Sequence, residues 1–389
     1  MKSFRILTPF IFIFSISLIM FACQAASNIE PVNKTTNPKI TYEARALYNN
    51  LDQLRQNHVL FGHQDDLAYG VNWINEPGRS DVKEVTGSYP AVYGWEIGDL
   101  EMGAEQNLDK VNFEDMKGWI REGYLRGGVI TIAWHMNNPV TGGNAWDTDG
   151  RAISQILPGA EKHDLFVEWL NTFAGFVSDL KVEDGETNRP AHIIPILFRP
   201  YHEHTGSWFW WGADQSTPEE YKALWHFTVD YLRNEKQLHN LLFVYSPDRF
   251  ESKEHYLERY PGDDYVDILG YDDYGNVQSI DSVPTFTNQL KMVVEMAEER
   301  GKIPVLSETG SETLPIETWF TDVLLAGIRG DETASRIAYA LVWRNAHAET
   351  DRPNHYYAPY PGHPTAPNMV EFKNDPFVLF EDELPNLYE

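Results

Sequence analysis

Residues 197–212 hold the densest group of chemically capable side chains in the sequence: LFRPYHEHTGSWFWWG. A short apolar run ends at Arg199, and Glu203 then stands between His202 and His204, with three tryptophans close behind. A buried strand normally avoids such groups, because a polar side chain left without a partner in the interior costs several kcal/mol. These residues are therefore either satisfied structurally or present for chemistry.

A second carboxylate, Glu308, comes near the end of another apolar run, KIPVLSETG (302–310). Two carboxyl groups about 5–5.5 Å apart can cleave a glycosidic bond with retention, since one protonates the leaving oxygen while the other attacks the sugar carbon. Histidine and arginine neighbours can separate the pKa values of such a pair. The 12 Trp, 20 Tyr and 20 Phe of the chain supply flat apolar faces on which sugar rings can stack.

Other chemistries are less well supported. A metal site made from His202 and His204 requires the strand to stay regular, because only then do residues two apart share a face. The chain contains no His-Glu-x-x-His motif and no Gly-x-Ser-x-Gly motif, which are typical of zinc peptidases and serine hydrolases. We therefore expect neither a bound metal nor a cofactor.

Eight apolar, β-rich runs alternate with helix-like segments such as 109–126, 162–181, 218–235 and 285–300. The runs show little polar alternation, which predicts strands buried on both faces of a parallel sheet. The pattern favours a (β/α)₈ barrel in one domain; a doubly wound open sheet is the alternative, weakened by the lack of a Gly-rich phosphate motif. The runs are 59–64, 91–99, 128–135, 192–203, 241–247, 265–274, 302–310 and 340–346.

Polar groups gather at the carboxyl ends of seven of these runs. In a barrel those ends converge on one face, where active sites lie. The long Gly- and Asn-rich segment 136–161 is predicted to form a wall of the same site.

The formal charge of the chain is −27, from 31 basic and 58 acidic residues. This charge repels nucleic acid and anionic membranes but does not repel a neutral polymer. We expect a monomer whose partner is a neutral polysaccharide or oligosaccharide.

The first residues, MKSFRILTPFIFIFSISLIMFAC, predict a signal peptide over 1–22. Cys23 follows directly, is the only cysteine, and is placed like the lipid-acceptor cysteine of a bacterial lipoprotein. Residues 23–40 predict a flexible tether and residues 41–389 the catalytic domain. We expect an exported protein that is lipid-anchored to a bacterial membrane; cleavage after Ala25 or Ala26, with secretion, is the alternative.

The combination of FGHQ, WHMNNP, RPYHEHTGSWFWWG, YDDYG, SETG and VWRNA resembles glycoside hydrolase family 26, best known for β-mannanases. The resemblance covers residues 45–372. It implies a (β/α)₈ fold, a retaining mechanism, no cofactor, and hydrolysis of mannan, glucomannan or galactomannan.

The resemblance also implies a role for each matching residue. Glu203 is the implied acid/base and Glu308 the nucleophile. The implied substrate-binding residues are Arg199 and His202 around the cleaved bond, Tyr274 on the nucleophile, Trp208 beyond the bond, Trp343 and Arg344 on the glycone side, and His135 and Trp146.

Several alternatives stay open at this stage. The family also includes enzymes for mixed-linkage β-glucan and β-1,3-xylan, and a non-catalytic glycan-binding lipoprotein is a further possibility. Endo and exo action are not distinguished, because that depends on loops such as 136–161. Trp210 and Trp211 are interpreted as packing residues.

Overall fold

The computed structural model describes Met1 and residues 35–389. The predicted signal peptide, Cys23 and most of the predicted tether lie outside the described residues. Among the helices of the described part, not one is both long and apolar enough to cross a membrane.

The described residues form a closed ring of eight parallel strands, and the predicted (β/α)₈ barrel is confirmed. Each strand pairs with the next along the chain, and the last pairs with the first through Leu60–Tyr339 and the three residue pairs that follow. Strands six and seven are each broken into two short pieces. The strands are β1 (Val59–Gln64), β2 (Val92–Glu96), β3 (Val129–Trp134), β4 (Ile196–Pro200), β5 (Leu241–Tyr245), β6 (Ile268–Leu269 and Asp272–Asp273), β7 (Ile303–Pro304 and Leu306–Thr309) and β8 (Tyr339–Val342).

Helices lie between consecutive strands and around the ring. The α6 helix begins at Pro218, where the predicted helix-like segment 218–235 also begins. Thr217 Oγ1 accepts from the Glu220 backbone N–H, and the Glu220 side chain accepts from the Thr217 backbone N–H in return. This reciprocal cap fixes the first turn. The helices of the described residues are α1 (Tyr42–Leu54), α2 (Asp81–Thr86), α3 (Phe113–Leu125), α4 (Ala152–Ile156), α5 (His163–Asp179), α6 (Pro218–Asp230, continued by a π turn Tyr231–Glu235), α7 (Lys253–Leu257), α8 (Val283–Glu299), α9 (Ala326–Arg329, preceded by a π turn Phe320–Leu325) and α10 (Ala366–Lys373).

The barrel strands are buried on both faces. Every residue of β1 to β5 is buried, because one face fills the barrel interior and the other packs against the helices. Trp210 and Trp211 are fully buried and meet edge to face at 5.1 Å, so the packing interpretation of both is confirmed.

The amino-terminal end of the barrel is covered by α1 and by the segment before it. Tyr48 of α1 donates to the Gly301 carbonyl just before β7. Thr36 N–H donates to Asp267 Oδ1 (2.7 Å) just before β6, and Ile40 is buried. Residues 36–40 therefore pack on the domain, and this corrects the predicted tether boundary at residue 40. The chain enters the domain at the face opposite the strand carboxyl ends.

Candidate active site

Three carboxylates meet at the carboxyl ends of the strands. Glu308 lies in the second piece of β7, Asp272 opens the second piece of β6, and the two are register partners. Glu203 stands three residues after β4. One oxygen from each of these carboxylates lies within 4.8 Å of the other two. The barrel thus brings together the two carboxylates that the sequence singled out.

The backbone at Glu203 is left-handed. Tyr201 and Glu203 have φ of 49° and 52°, a conformation that costs non-glycine residues of the order of 1–2 kcal/mol. The Glu203 N–H donates to the Ser246 carbonyl (2.8 Å), directly after β5, and this contact holds the turn. Such strain is typical of residues whose side chains must be aimed at a site.

Burial raises the pKa of Glu203 well above its ordinary value, and the negative charges of Asp272, Glu308 and Asp248 raise it further. Trp208 opposes the rise, since its indole N–H donates to Glu203 Oε2 at 2.8 Å. The Trp208 side chain is 39% exposed. Glu203 therefore keeps its proton to a higher pH than an ordinary glutamate does.

Glu308 lies in a different environment. Arg199 donates one N–H to Glu308 Oε1 and another to Asp272 Oδ2 (2.8 Å). The Tyr274 hydroxyl donates to Glu308 Oε2 at 3.0 Å. A guanidinium and a hydroxyl donor thus hold the two oxygens of the Glu308 side chain. The Arg199 guanidinium thus forms ion pairs with two of the three carboxylates, Glu308 and Asp272.

Two histidines share a hydrogen bond at the same mouth. His135 Nδ1 lies 2.7 Å from Glu96 Oε2, and its Nε2 lies 3.1 Å from Nε2 of His202. Burial lowers the pKa of His135, but the charge and hydrogen bond of Glu96 outweigh it, and the net shift is upward. Burial, with the positive charges of Arg199 and His135, lowers the pKa of His202 well below its ordinary value. The opposite directions of these two pKa shifts favour His135 as the donor and His202 as the acceptor of the hydrogen bond between them.

His204 does not join this pair. Its ring packs between Tyr221 and Tyr245, with centroids 4.5 and 4.7 Å away, and is fully buried. Neither ring nitrogen has a hydrogen-bond partner among the described residues. The structure thus separates the environments of His202 and His204.

Two exposed tryptophans flank the carboxylates. Trp146, 47% exposed, stacks on His135 with centroids 5.1 Å apart and planes 13° from parallel. The buried Phe209 ring lies between Trp146 and Trp208, at 5.4 and 6.2 Å from their centroids. The loop that carries Trp146 is held by Asn138, whose amide donates to the carbonyls of Asp147 and Asp149. These rings offer flat faces at the mouth.

The remaining predicted residues lie after β8. Trp343 is half-buried at the strand end, and its backbone N–H donates to the Thr309 carbonyl of β7. Arg344 is buried and forms ion pairs with Asp109 (2.9 Å) and Asp351 (2.6 Å). Arg344 therefore connects the loop after β2 to the loop after β8.

Sequence reasoning missed Glu96, Asp272 and Phe209 as members of the site. Glu96 and Asp272 lie in the apolar runs 91–99 and 265–274, and their local sequence does not distinguish them from other polar residues there. Their partners, His135 and Arg199, stand 39 and 73 residues away along the chain. Such pairings are set by strand order around the barrel.

A (β/α)₈ barrel with paired carboxylates at the carboxyl ends of β4 and β7 has the architecture of the retaining glycoside hydrolases. The sequence profile of glycosyl hydrolase family 26 matches residues 36–325. The protein belongs to this family.

Comparison with similar proteins agrees with this family membership. The chain is 37% identical over 341 residues to a mannan endo-1,4-beta-mannosidase of Bifidobacterium adolescentis, covering 83% of this chain and 33% of that protein. It is 30% identical over 289 residues to mannan endo-1,4-beta-mannosidase A and B of Caldalkalibacillus mannanilyticus, covering 70% of this chain and 52% of the relative. The chain thus spans a third to a half of the length of these two relatives. The structure of the GH26 beta-mannanase BoMan26A from Bacteroides ovatus superposes with a TM-score of 0.83 at 42% identity, over 90% of this chain and 98% of that one.

Proposed function

We propose that this protein is a β-mannanase that hydrolyses β-1,4-mannosidic linkages in mannan, glucomannan or galactomannan with retention of configuration. The observation that carries the proposal is the carboxylate pair, with oxygens of Glu203 and Glu308 within 4.8 Å in contrasting surroundings. A retaining pair stands about 5–5.5 Å apart, whereas an inverting pair needs about 6.5–9.5 Å to admit water. The names of the relatives support mannan as the substrate.

In the first step the Glu203 carboxyl protonates the leaving glycosidic oxygen while a Glu308 oxygen attacks the anomeric carbon. A covalent glycosyl-enzyme forms and the aglycone part leaves. In the second step Glu203, now a carboxylate, takes a proton from water, which attacks the same carbon and releases Glu308. Tyr274 and Arg199 keep the Glu308 carboxylate oriented before the attack.

The other predicted residues hold the sugar chain in this proposal. Arg199 and His202 lie beside the ring at the cleavage point, and His135 supports His202 from β3. Trp208 forms a platform for the leaving part of the chain, and its indole N–H steadies the Glu203 carboxylate. Trp146 adds a second platform, and Trp343 with Arg344 forms the floor on the glycone side.

We also propose that the protein is exported, lipid-anchored through Cys23 to a bacterial membrane, and monomeric. The support is the apolar leader followed directly by the single cysteine.

Product analysis tests the activity. The wild-type protein is incubated with mannan, galactomannan, lichenan and β-1,3-xylan, and early products are sized and read by proton NMR. We expect mannan oligosaccharides whose first-formed ends are β, and a rapid fall in polymer length if the action is endo rather than exo. Release of α ends would remove Glu308 from the nucleophile role, and turnover of lichenan or xylan without mannan would replace the substrate.

A further inference from the structure

A shallow groove of about 300 Å³ lies on the outer wall of the barrel, between residues 75–77 and the α3 helix. Its lining shares no residue with the carboxylate site described above. The groove is formed by Asn75, Pro77, Glu114, Gly118, Trp119 and Glu122 among others.

Trp119 provides an aromatic wall for this groove. Its ring stacks on the buried Trp95 of β2, with centroids 6.1 Å apart and planes 4° from parallel, so its orientation is fixed. The side chain is only half-buried, and the structure records no acceptor for its indole N–H among the described residues. A rigid indole with a free N–H offers one stacking surface and one hydrogen-bond donor to a ligand.

Gly118 keeps the space beside this ring open. It is exposed, lies inside a helix, and a Cβ at this position would meet no heavy atom within 4 Å. Glycine in a helix interior is about 1 kcal/mol less favourable than alanine. Neither backbone conformation nor packing requires glycine here, but a side chain would project beside the groove.

The rim of the groove is polar and acidic. Glu114 and Glu122 have side chains 79% and 54% exposed, and Asn75 is exposed beside the apolar ring of Pro77. Carboxylates and an amide accept hydrogen bonds from hydroxyl groups, while aromatic and proline rings fit the flat apolar face of a sugar. Glu114 and Glu122 pair with Lys117 (2.9 Å) and Arg126 (3.7 Å), so the net charge of −27 is what would repel an anionic ligand.

We propose that this groove is a second binding site for neutral β-linked polysaccharide, which holds a segment of the substrate chain away from the catalytic mouth. The inference rests on the proposed function for the identity of the polysaccharide. It assigns Trp119 a role in binding and none in bond cleavage.

The test uses the full chain carrying Glu308→Ala, so that the polysaccharide is not consumed. Gly118→Gln places a side chain next to Trp119 and favours the helix, so the fold should survive. Gly175→Gln is the matched control, because Gly175 is also an exposed glycine inside a helix, α5, whose Cβ would meet nothing within 4 Å. Trp119→Ala is the second variant. Binding to insoluble mannan and mobility in gels that contain soluble galactomannan are measured, with melting temperatures for each protein.

We expect Gly118→Gln and Trp119→Ala to weaken binding about fivefold or more, an effect in the range of one lost stacking contact. Gly175→Gln should bind like the parent. In the active background, kcat/KM on a short mannan oligosaccharide should be unchanged by Gly118→Gln.

Unchanged polysaccharide binding by Gly118→Gln would overturn the proposal, even if Trp119→Ala binds less, because the latter also removes a packing contact. Equal losses in Gly118→Gln and Gly175→Gln would overturn it as well. If the wild-type protein bound a neutral β-glycan without hydrolysing it, only the proposed function would fail. The groove proposal would still be tested by the binding of that glycan to the variants.

Discussion

At the scale of single residues, two glutamates of the same chemical type are made different by one arginine. The Arg199 guanidinium reaches Glu308 and Asp272 but has no contact with Glu203. Glu203 instead faces the negative charges of the other two, with a tryptophan N–H as its only described donor. Different surroundings of this kind are how one site gives two carboxyl groups different chemical roles.

Glu203→Ala and Glu308→Ala should each lower kcat on mannan by about 10²–10⁴-fold or more, because each removes a group that takes part in both chemical steps. Thermal unfolding should remain cooperative, with a melting temperature near that of the wild type. Turnover close to wild type in either variant would contradict the assignment and favour the glycan-binding alternative.

Trp208→Phe should move the basic limb of the kcat/KM profile toward higher pH. The Trp208 N–H stabilises the charged form of Glu203, so its loss raises a pKa that burial already holds well above the ordinary value. Activity depends on protonated Glu203 and falls as pH rises through that pKa; a higher pKa therefore delays the fall. The profile is measured on a soluble substrate, with Trp146→Phe as the control that keeps the Glu203 contact; a shift to lower pH in Trp208→Phe would refute the explanation.

At the scale of elements, the positions of the site depend on how strands end and helices begin. Strand β4 stops at Pro200, and the left-handed residues Tyr201 and Glu203 then turn the chain across the mouth toward β5. The chain returns through α6, whose start is fixed by the Thr217 cap.

Thr217→Ala should lower the free energy of unfolding by about 0.5–2 kcal/mol, since it leaves the Glu220 N–H without its partner and breaks the reciprocal cap. Urea denaturation measures the change. Thr172→Ala on α5 is the control: it removes only a bond to the Glu168 carbonyl within the helix, and alanine is the better helix former. An equal loss of stability in both variants would show that the Thr217 cap contributes no more than an ordinary hydrogen bond within a helix.

Much of this arrangement follows from local sequence. The buried strands are visible in the sequence as apolar runs. The segment Thr-Pro-Glu-Glu at the start of α6 contains both partners of its cap within four residues. The interpretation of Trp210 and Trp211 as packing residues is also confirmed.

The parts that were not predicted depend on distant partners. Nothing near His135 in the sequence points to Glu96, and the continuous apolar runs do not show that β6 and β7 are each broken into two pieces. The segment 36–40 looks polar and free, yet Asp267 and the barrel floor hold it. Such contacts are decided by which strands become neighbours, and no short window of sequence contains that information.

At the scale of the whole molecule, the barrel has two faces with different tasks. The carboxyl ends of the strands carry the carboxylates and the exposed tryptophans. The amino-terminal face is closed by α1 and by the segment that leads into it, where Arg233 donates to Thr36 Oγ1 and Asn37 contacts His239.

Removing residues 1–40 should destabilise the domain, whereas removing residues 1–33 should not. The longer deletion exposes the surface under Ile40 and leaves Asp267 Oδ1 without the Thr36 N–H, a loss of about 2 kcal/mol or more. Comparison of the two truncated proteins by urea denaturation measures it. Equal stability of both would mean that residues 36–40 only lie on the surface.

Cys23→Ser should release the protein from membranes into the soluble fraction when the full chain is expressed in a bacterium that processes lipoproteins. The lipid would be attached to the cysteine sulfur, and serine cannot replace it in that modification. Membrane fractionation measures the release, and the mass of the mature amino-terminal peptide shows where the chain is processed. Unchanged membrane association, or an amino terminus at Ala26 or Ser27, would end the lipoprotein proposal.

The entry of the chain through the closed face has a consequence for an anchored enzyme. Thirteen residues lead from Cys23 to Thr36, and a fully extended chain of that length reaches at most about 45 Å. If the protein is anchored through Cys23 as we propose, this reach would keep the closed face nearer the bilayer and leave the mouth on the side away from it. Under the proposed anchoring and activity, a polymer too bulky to approach the lipid headgroups could still enter the mouth from the side away from the membrane.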